Sequence, residues 1–173
     1  TVLLITAPFF PPDFPIIKTL FRVFPHTGSA PLPPAALKQP ANLTQVAKIL
    51  KTIHGMPEIP GQFIVFRIVE EYAQVARRYN VSFPDNLDWP LEKMYTAETA
   101  FNVEAQPLCP CHNDLLNENF LQDNGRIYLL DWEYAGMGDP IFDLANLSVH
   151  HSFTDEEDNR LLSAYFGEVT EKN

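Results

Sequence analysis

Cysteine is scarce in this chain: its 173 residues include two, Cys109 and Cys111. They flank Pro110, and a bridge between residues only two apart would close a strained ring. No further cysteine stands at a ligand-like spacing, so the sequence predicts neither a disulfide framework nor a zinc site. Reduced thiols are expected, and with them, by default, a cytoplasmic location.

Basic residues and long apolar runs are also lacking. Lysine and arginine number 12 against 22 acidic residues, which gives a net charge of -10. Such a surface repels nucleic acid and anionic membranes and attracts cations. No run of 18 apolar residues occurs, so no transmembrane helix is expected. The composition therefore predicts no nucleic-acid partner, no membrane partner and a preference for small cationic ligands.

Glycine is rare and proline is unevenly spread. The seven glycines form no Gly-x-Gly-x-x-Gly loop of the kind that covers phosphates. Eight of the sixteen prolines fall within residues 1–34, which disfavours a regular sheet there because proline removes ladder donors. We predict a proline-rich lead-in over residues 1–34 and a mainly helical lobe over residues 35–173.

Apolar residues at helical spacing follow the lead-in. One stripe begins with Asn42 as the predicted N-cap and ends at Gly55. Two more stripes run from Val65 to Tyr79 and from Leu91 to Phe101, and their aromatic and methionine residues are expected to be core. Thr154 and Glu157 form a capping box that predicts a last helix, and His150 and His151 are expected on the surface at the end of the preceding one.

The chemistry-bearing motif is His112-Asn113-Asp114, followed five residues after the aspartate by Asn119 and twelve further on by Asp131. Phosphoryl transfer from a nucleotide requires groups in this order: a carboxylate that takes a hydroxyl proton, then an amide oxygen and a second carboxylate that hold magnesium. Asp114 is the natural proton acceptor, Asn119 and Asp131 are the predicted Mg²⁺ ligands, and His112 is better interpreted as structural support.

The spacing between the two predicted ligands has a structural explanation. The apolar, β-prone runs 119–122 and 126–130 are separated by Asn124-Gly125, a strong signal for a two-residue hairpin turn. Folding about that turn brings Asn119 and Asp131 within one or two positions of being opposite, where side-chain origins lie roughly 5 to 8 Å apart. We therefore expect one cation to bridge them.

Residues 111–121 and 129–145 resemble the two signature segments of choline/ethanolamine kinases. These enzymes belong to the wider aminoglycoside phosphotransferase group, which shares the protein-kinase fold. The triplet at residues 112–114 and the Asp-Trp-Glu-Tyr run at 131–134 are closer to bacterial choline kinase-like proteins than to protein kinases. An activation segment of protein-kinase length does not fit between Asp131 and the helix that Asp139-Pro140 should begin.

The resemblance implies an α+β, mainly helical fold: a protein-kinase-like C-terminal lobe with a catalytic β-hairpin. It implies that Asp114 is the catalytic base, with Mg²⁺ on Asn119 and Asp131 and ATP as the phosphate donor. Glu133 and Tyr134 would bind a small amino alcohol, since a cation over an aromatic face gains about 0.5 to 2 kcal/mol. Trp132 is expected in the core, and Asp139 and Asp143 are expected to give structural support.

A complete member also has a smaller nucleotide-binding lobe upstream and further helices downstream. Within residues 1–34, Arg22 is the first candidate for a basic contact to phosphate, and Lys18 is the other. If either serves this purpose, residues 1–34 are a degenerate remnant of the nucleotide-binding lobe. We expect the chain to be a fragment or a degenerate copy, completed by self-association or by a complementing lobe. The predicted function is transfer of the γ-phosphate of ATP to choline, ethanolamine or a similar alcohol. The alternative is a non-catalytic remnant that acts as a binding or partner module.

Overall fold

Helices dominate the described part of the chain, which comprises residues 30–103 and 105–167 of a computed structural model. Two small antiparallel sheets accompany them. The helices are α1 (Pro34–Leu37), α2 (Pro40–His54), α3 (Val65–Arg78), α4 (Asp88–Val103), α5 (Pro140–His151) and α6 (Asp155–Phe166). The strands are β1 (Ala30–Pro31), β2 (Cys109–Cys111), β3 (Phe120–Asp123), β4 (Arg126–Leu129) and β5 (Gly136–Gly138).

The predicted hairpin is present as β3 and β4. Their register pairs Phe120 with Leu129 and Asp123 with Arg126, which leaves Asn124 and Gly125 as the two turn residues. Both have positive φ, 47° and 75°, as a type I′ turn requires. β1 lies on the other side of β3, where Pro31 stands on an edge strand that needs no donor from it.

The second sheet joins β2 to β5. Cys109 pairs with Gly138 and Cys111 with Gly136 in antiparallel register. β2 leads directly into His112, and β5 leads into Asp139, which caps α5. This small sheet therefore ties the beginning of the predicted catalytic loop to the beginning of α5.

The main core lies in one compact unit, made of residues 30–62 and 108–167 within the described part. Helices α2 and α6 pack against each other there, and buried side chains of the hairpin and of α5 join them. The buried apolar residues of this core are Leu32, Leu37, Val46, Ala47, Leu50, Ile53, Leu115, Phe120, Ile127, Leu129, Leu144, Leu147, Leu161 and Tyr165. A capping box of Thr154 and Glu157 begins α6, as predicted.

Residues 63–107 form a second compact unit that contains α3 and α4. Arg67 forms one ion pair with Glu70 within α3 and another with Glu98 of α4, and Phe66 contacts Phe101 edge to face. Neither helix contains a buried residue among the positions described. The prediction that the aromatic residues of these stripes are core is therefore wrong: Tyr72, Tyr79, Tyr95 and Phe101 are exposed.

Two further predictions need correction. Asn42 is not the N-cap of α2, because Pro40 occupies the first helical position and the helix begins two residues earlier. The Asn42 amide instead donates to the carbonyl oxygen of Ala36 at 2.7 Å. His151 is not a surface residue: it is buried, and its Nε2 contacts the carbonyl oxygen of Leu115 at 3.0 Å, while His150 is exposed.

The predicted lead-in lies outside the described residues except for its last five. Those five are part of the fold: β1 pairs with β3, Leu32 is fully buried and donates its backbone N–H to Phe120 at 2.8 Å, and Pro34 begins α1. Arg22 and Lys18 fall outside the described part of the chain.

Candidate active site

The predicted catalytic loop leaves β2 with an unusual backbone turn at Asn113. This residue has a φ of 69°, in the left-handed region that asparagine tolerates better than most residues. Its buried amide donates to the carbonyl oxygens of Cys111 at 3.3 Å and Tyr134 at 3.0 Å. Asp114, the next residue, is partly exposed.

Asp143 stabilises the backbone at His112 and Asn113 through hydrogen bonds. Its side chain is fully buried and accepts the backbone N–H of His112 at 2.9 Å and that of Asn113 at 2.7 Å. Its Oδ2 also contacts His54 Nε2 at 3.0 Å. A buried carboxylate needs this number of donors, since an unpaired buried charge is very costly. This geometry suits the supporting role predicted for Asp143.

Asp114 and Asn119 are brought together directly. The Asn119 amide nitrogen donates to the Asp114 carboxylate at 2.9 Å and to the Asp114 carbonyl oxygen at 2.8 Å. With the nitrogen side of the amide fixed on Asp114, the amide oxygen is directed away from it. Asn119 therefore orients the predicted base with one end and offers a hard oxygen ligand with the other.

Asn119 and Asp131 stand where the hairpin geometry predicts. The Leu130 backbone N–H donates to the Asn119 carbonyl oxygen at 2.8 Å, so these two residues extend the ladder by one pair and Asp131 follows immediately. Asp131 has a φ of 58° and so leaves the strand in a left-handed turn. The two residues are thus within one position of being opposite, at the same end of the hairpin.

His112 is buried and packs edge to face against Trp132, with ring centroids 4.7 Å apart. Its Nε2 contacts the Leu130 carbonyl oxygen at 2.8 Å, and its Nδ1 accepts the Asp114 backbone N–H at 3.3 Å. Because a carbonyl can only accept, Nε2 carries the proton and Nδ1 is bare. Burial lowers the pKa of His112 and outweighs the opposing effect of Asp143. The neutral ring therefore bridges the catalytic loop and the end of β4.

Glu133 and Tyr134, the predicted substrate-binding residues, are both exposed and follow Asp131 directly. The Asn113 amide bond to the Tyr134 carbonyl links this segment to the catalytic loop. Asp139 lies at the N-cap of α5, where its carboxylate accepts the Ile141 backbone N–H at 2.8 Å. Trp132 is partly buried against the core, with its indole N–H on the Leu129 carbonyl oxygen at 3.1 Å.

Sequence reasoning missed four residues that support this loop. Asn146 accepts the Leu115 backbone N–H at 2.8 Å, and His151 contacts the Leu115 carbonyl oxygen. His54 contacts Asp143 from α2, and Asn113 forms the left-handed turn. Only Asn113 carried a local signal, as the middle residue of the predicted motif, although no role was predicted for it. The other three lie on helices whose partners are set by tertiary packing.

The residues at the end of the hairpin suit a magnesium ion. An amide oxygen and a carboxylate are hard oxygen donors, which Mg²⁺ prefers, and magnesium fills its remaining positions with water and substrate phosphates. No nitrogen or sulfur donor is required from the protein. Asn119 and Asp131 therefore fit the ligand pair predicted from their spacing.

The phosphotransferase enzyme family matches residues 16–171, which is most of the chain. A kinase-like fold of helices with small antiparallel sheets, a hairpin that bears the predicted pair of metal ligands and a preceding carboxylate accord with that match. The chain belongs to the phosphotransferase enzyme family.

Its relatives include choline and ethanolamine kinases. Protein LicA of Haemophilus influenzae is 32% identical over 136 residues, covering 75% of this chain and 49% of the relative. The crystal structure of choline kinase LicA from Streptococcus pneumoniae superimposes with a TM-score of 0.73 at 28% identity, covering 84% of this chain and 52% of that one. A choline/ethanolamine kinase family protein from Mesorhizobium loti gives a TM-score of 0.72 at 32% identity, covering 83% and 50%. The predicted resemblance and fold class are confirmed.

The matches cover only part of each relative. The chain spans about half the length of the proteins it matches. Within residues 30–103 and 105–167, no helix is both long and apolar enough to cross a membrane.

Proposed function

We propose that this chain carries the acceptor and metal-binding half of an amino-alcohol kinase, which transfers the γ-phosphate of ATP to the hydroxyl of choline, ethanolamine or a similar alcohol. The observation that carries the proposal is the position of Asn119 between Asp114 and Asp131. Its side-chain nitrogen donates to the Asp114 carboxylate, and its backbone carbonyl oxygen accepts the N–H of Leu130, the residue before Asp131. The proposed proton acceptor and the proposed metal-ligand pair are therefore linked through one residue.

The catalytic role proposed for Asp114 is to accept the proton of the acceptor hydroxyl as its oxygen attacks the γ-phosphorus and the bond to the ADP oxygen breaks. Proton acceptance by a positioned side chain contributes about 10²- to 10⁴-fold to rate. Asn119 keeps the carboxylate aimed, and the left-handed turn at Asn113 presents it. Asn119 and Asp131 would hold a magnesium ion, which would offset charge on the phosphates of the nucleotide.

The acceptor is proposed to be cationic. Glu133 supplies a carboxylate and Tyr134 an aromatic face, both exposed beside the metal-ligand residue. A cation over a tyrosine ring gains about 0.5 to 2 kcal/mol, and an adjacent carboxylate strengthens the attraction. Relatives described as choline or ethanolamine kinases support this substrate class.

The direct test follows ADP release from purified chain with Mg²⁺-ATP and a panel of amino alcohols. Turnover should fall about 10²-fold or more in Asp114→Asn and in Asp131→Asn, because one removes the proton acceptor and the other a metal ligand. Asp155→Asn is the matched control, since Asp155 is exposed in the first turn of α6. Absence of turnover above blank, with no ATP-dependent thermal shift, would overturn the kinase assignment for this chain and favour the alternative of a non-catalytic binding module.

The proposed acceptor site can be tested separately, through KM for the amino alcohol. Glu133→Gln and Tyr134→Leu should raise KM for the amino alcohol about tenfold while kcat changes less, because each removes ground-state attraction for the cation rather than the reacting groups. Glu156→Gln, on the exposed face of α6, should change neither constant. An equal fall in kcat with unchanged KM would place both residues outside the acceptor site.

A further inference from the structure

A second cluster of ligating side chains lies beneath the catalytic loop, where both cysteines of the chain meet His54. One ring nitrogen of His54 and the sulfurs of Cys109 and Cys111 lie within 4.8 Å of one another. Cys109 and Cys111 are two apart on β2 and so project to the same side of the strand. His54 reaches them from the last turn of α2, far away in the sequence, which is why the spacing of the cysteines alone predicts no such site.

We propose that His54, Cys109 and Cys111 form a binding site for a thiophilic divalent metal ion, Zn²⁺ in particular, which fastens β2 to α2. The sulfur atoms are 3.9 Å apart. Two thiolates on one tetrahedral zinc, each with a Zn–S bond near 2.3 Å, lie roughly 3.8 Å apart by the same geometry. The pair is therefore already at the separation that a shared zinc ion requires, and far beyond the length of a disulfide bond.

The histidine is held as metal-ligating histidines commonly are. Asp143 accepts from His54 Nε2 at 3.0 Å, which fixes the proton on that nitrogen and leaves the lone pair on Nδ1. A carboxylate behind the ring orients it and raises its basicity as a ligand. Nδ1 now accepts from the Tyr165 hydroxyl at 2.6 Å, a bond that a metal ion would displace.

The cluster is also accessible from the surface. Cys111 is fully buried, but Cys109 is partly exposed and so provides an entry path. Binding of a metal ion would release the thiol protons and form metal–sulfur bonds in their place.

This site differs in chemistry from the hairpin end. Nitrogen and sulfur ligands select zinc or similar ions, whereas the oxygens of Asn119 and Asp131 suit magnesium. The consequence also differs. Because β2 leads directly into His112, a metal ion between β2 and α2 would brace the catalytic loop without contacting substrate, so the expected effect is on stability rather than on chemistry.

The test uses reduced, metal-stripped chain titrated with Co²⁺, which reports its ligands optically. One equivalent should bind with a near-ultraviolet thiolate-to-cobalt band and strong visible absorption typical of four-coordinate cobalt, and Zn²⁺ should abolish both bands by displacement. Cys109→Ser, Cys111→Ser and His54→Gln should each weaken binding by about tenfold or more, since changes even in groups behind the ligands cost that much. His150→Gln, an exposed histidine outside the cluster, and Asp131→Asn should leave the titration unchanged.

The proposed metal site can be tested even if substitution of the buried Cys111 unfolds the chain. Cys109 is the partly exposed ligand, so Cys109→Ser is the variant of choice, checked by circular dichroism. In the unmodified chain, one equivalent of Zn²⁺ should also protect both thiols from alkylation and raise Tm. Failure of cobalt to bind with a thiolate band, or equal affinity in the unmodified chain and in Cys109→Ser or His54→Gln, would overturn the proposal whatever the kinase assay shows.

Discussion

At the scale of single residues, two buried histidines should make the stability of the chain depend on pH. Burial lowers the pKa of His112 and of His151 from the ordinary value of 6.5. Each ring is bonded to a carbonyl oxygen through Nε2, His112 to Leu130 and His151 to Leu115. Protonation is therefore favoured in the unfolded chain, and each neutral ring links the catalytic loop to another element.

The pH dependence follows from the direction of these shifts. The unfolded state takes up the protons first, so stability is fully present above pH 6.5 and is lost as the pH falls towards the lowered pKa values. Between pH 7 and 5.5 the free energy of unfolding should decline with a slope of up to about 1.4 kcal/mol per pH unit for each histidine. Urea unfolding at several pH values measures this slope.

His151→Gln should remove one contribution and flatten the slope. His150→Gln is the control for loss of a neighbouring imidazole and should change the slope much less, because burial is the main cause of the lowered pKa of His151 and the charge of His150 is a lesser one. A slope that is the same in the parent and in His151→Gln would show that His151 takes up its proton equally in both states.

At the scale of elements, the β3–β4 hairpin depends on its turn. Gly125 has a φ of 75°, and no atom lies within 4 Å of the position that an added Cβ would occupy. Gly125→Ala should therefore destabilise the chain by about 1 kcal/mol through backbone strain alone, because alanine disfavours the left-handed region. Asn124→Gly is the matched comparison, since its φ of 47° suits glycine, and it should change stability by a few tenths of a kcal/mol. Chemical denaturation of both variants checks this, and equal losses would indicate that packing, not turn geometry, sets the cost.

How much could be predicted from the sequence depended on whether the signal was local. The hairpin register, the capping box of α6 and the end of α2 at Gly55 follow from turn and cap chemistry a few residues long. The positions of Asn119 and Asp131 followed from that same register. The start of α2 was misplaced because Asn42 had a good local signal that Pro40 overrode. Contacts of His54 with Asp143, and of His151 with Leu115, join residues distant in sequence, and no spacing rule reports them.

At the scale of the whole chain, the two compact units differ in how they are stabilised. Within residues 30–62 and 108–167, α2 and α6 bury apolar side chains such as Leu50 and Leu161. In residues 63–107, the described side chains of α3 and α4 are held by ion pairs of Arg67 and by partly buried contacts, and Tyr72 and Tyr79 are 64% and 73% exposed. Exposed ion pairs contribute about 0 to 1 kcal/mol each, which is little beside a buried core.

Local opening should therefore cost much less free energy in residues 63–107 than in the main core. Native-state hydrogen exchange should show amides in the middle of α2 protected roughly a hundredfold more than those in the middle of α3, because exchange follows the local free energy of opening. Arg67→Ala removes both ion pairs of that helix and should lower protection in α3 and α4 further while leaving α2 and α6 unchanged. Arg160→Ala, which removes an exposed ion pair with Glu156 on α6, controls for loss of a surface charge. Equal protection of amides in α2 and α3 of the unmodified chain would contradict this prediction. It would mean that the two units open together, because two helices without buried residues cannot by themselves protect their amides as strongly as the main core does.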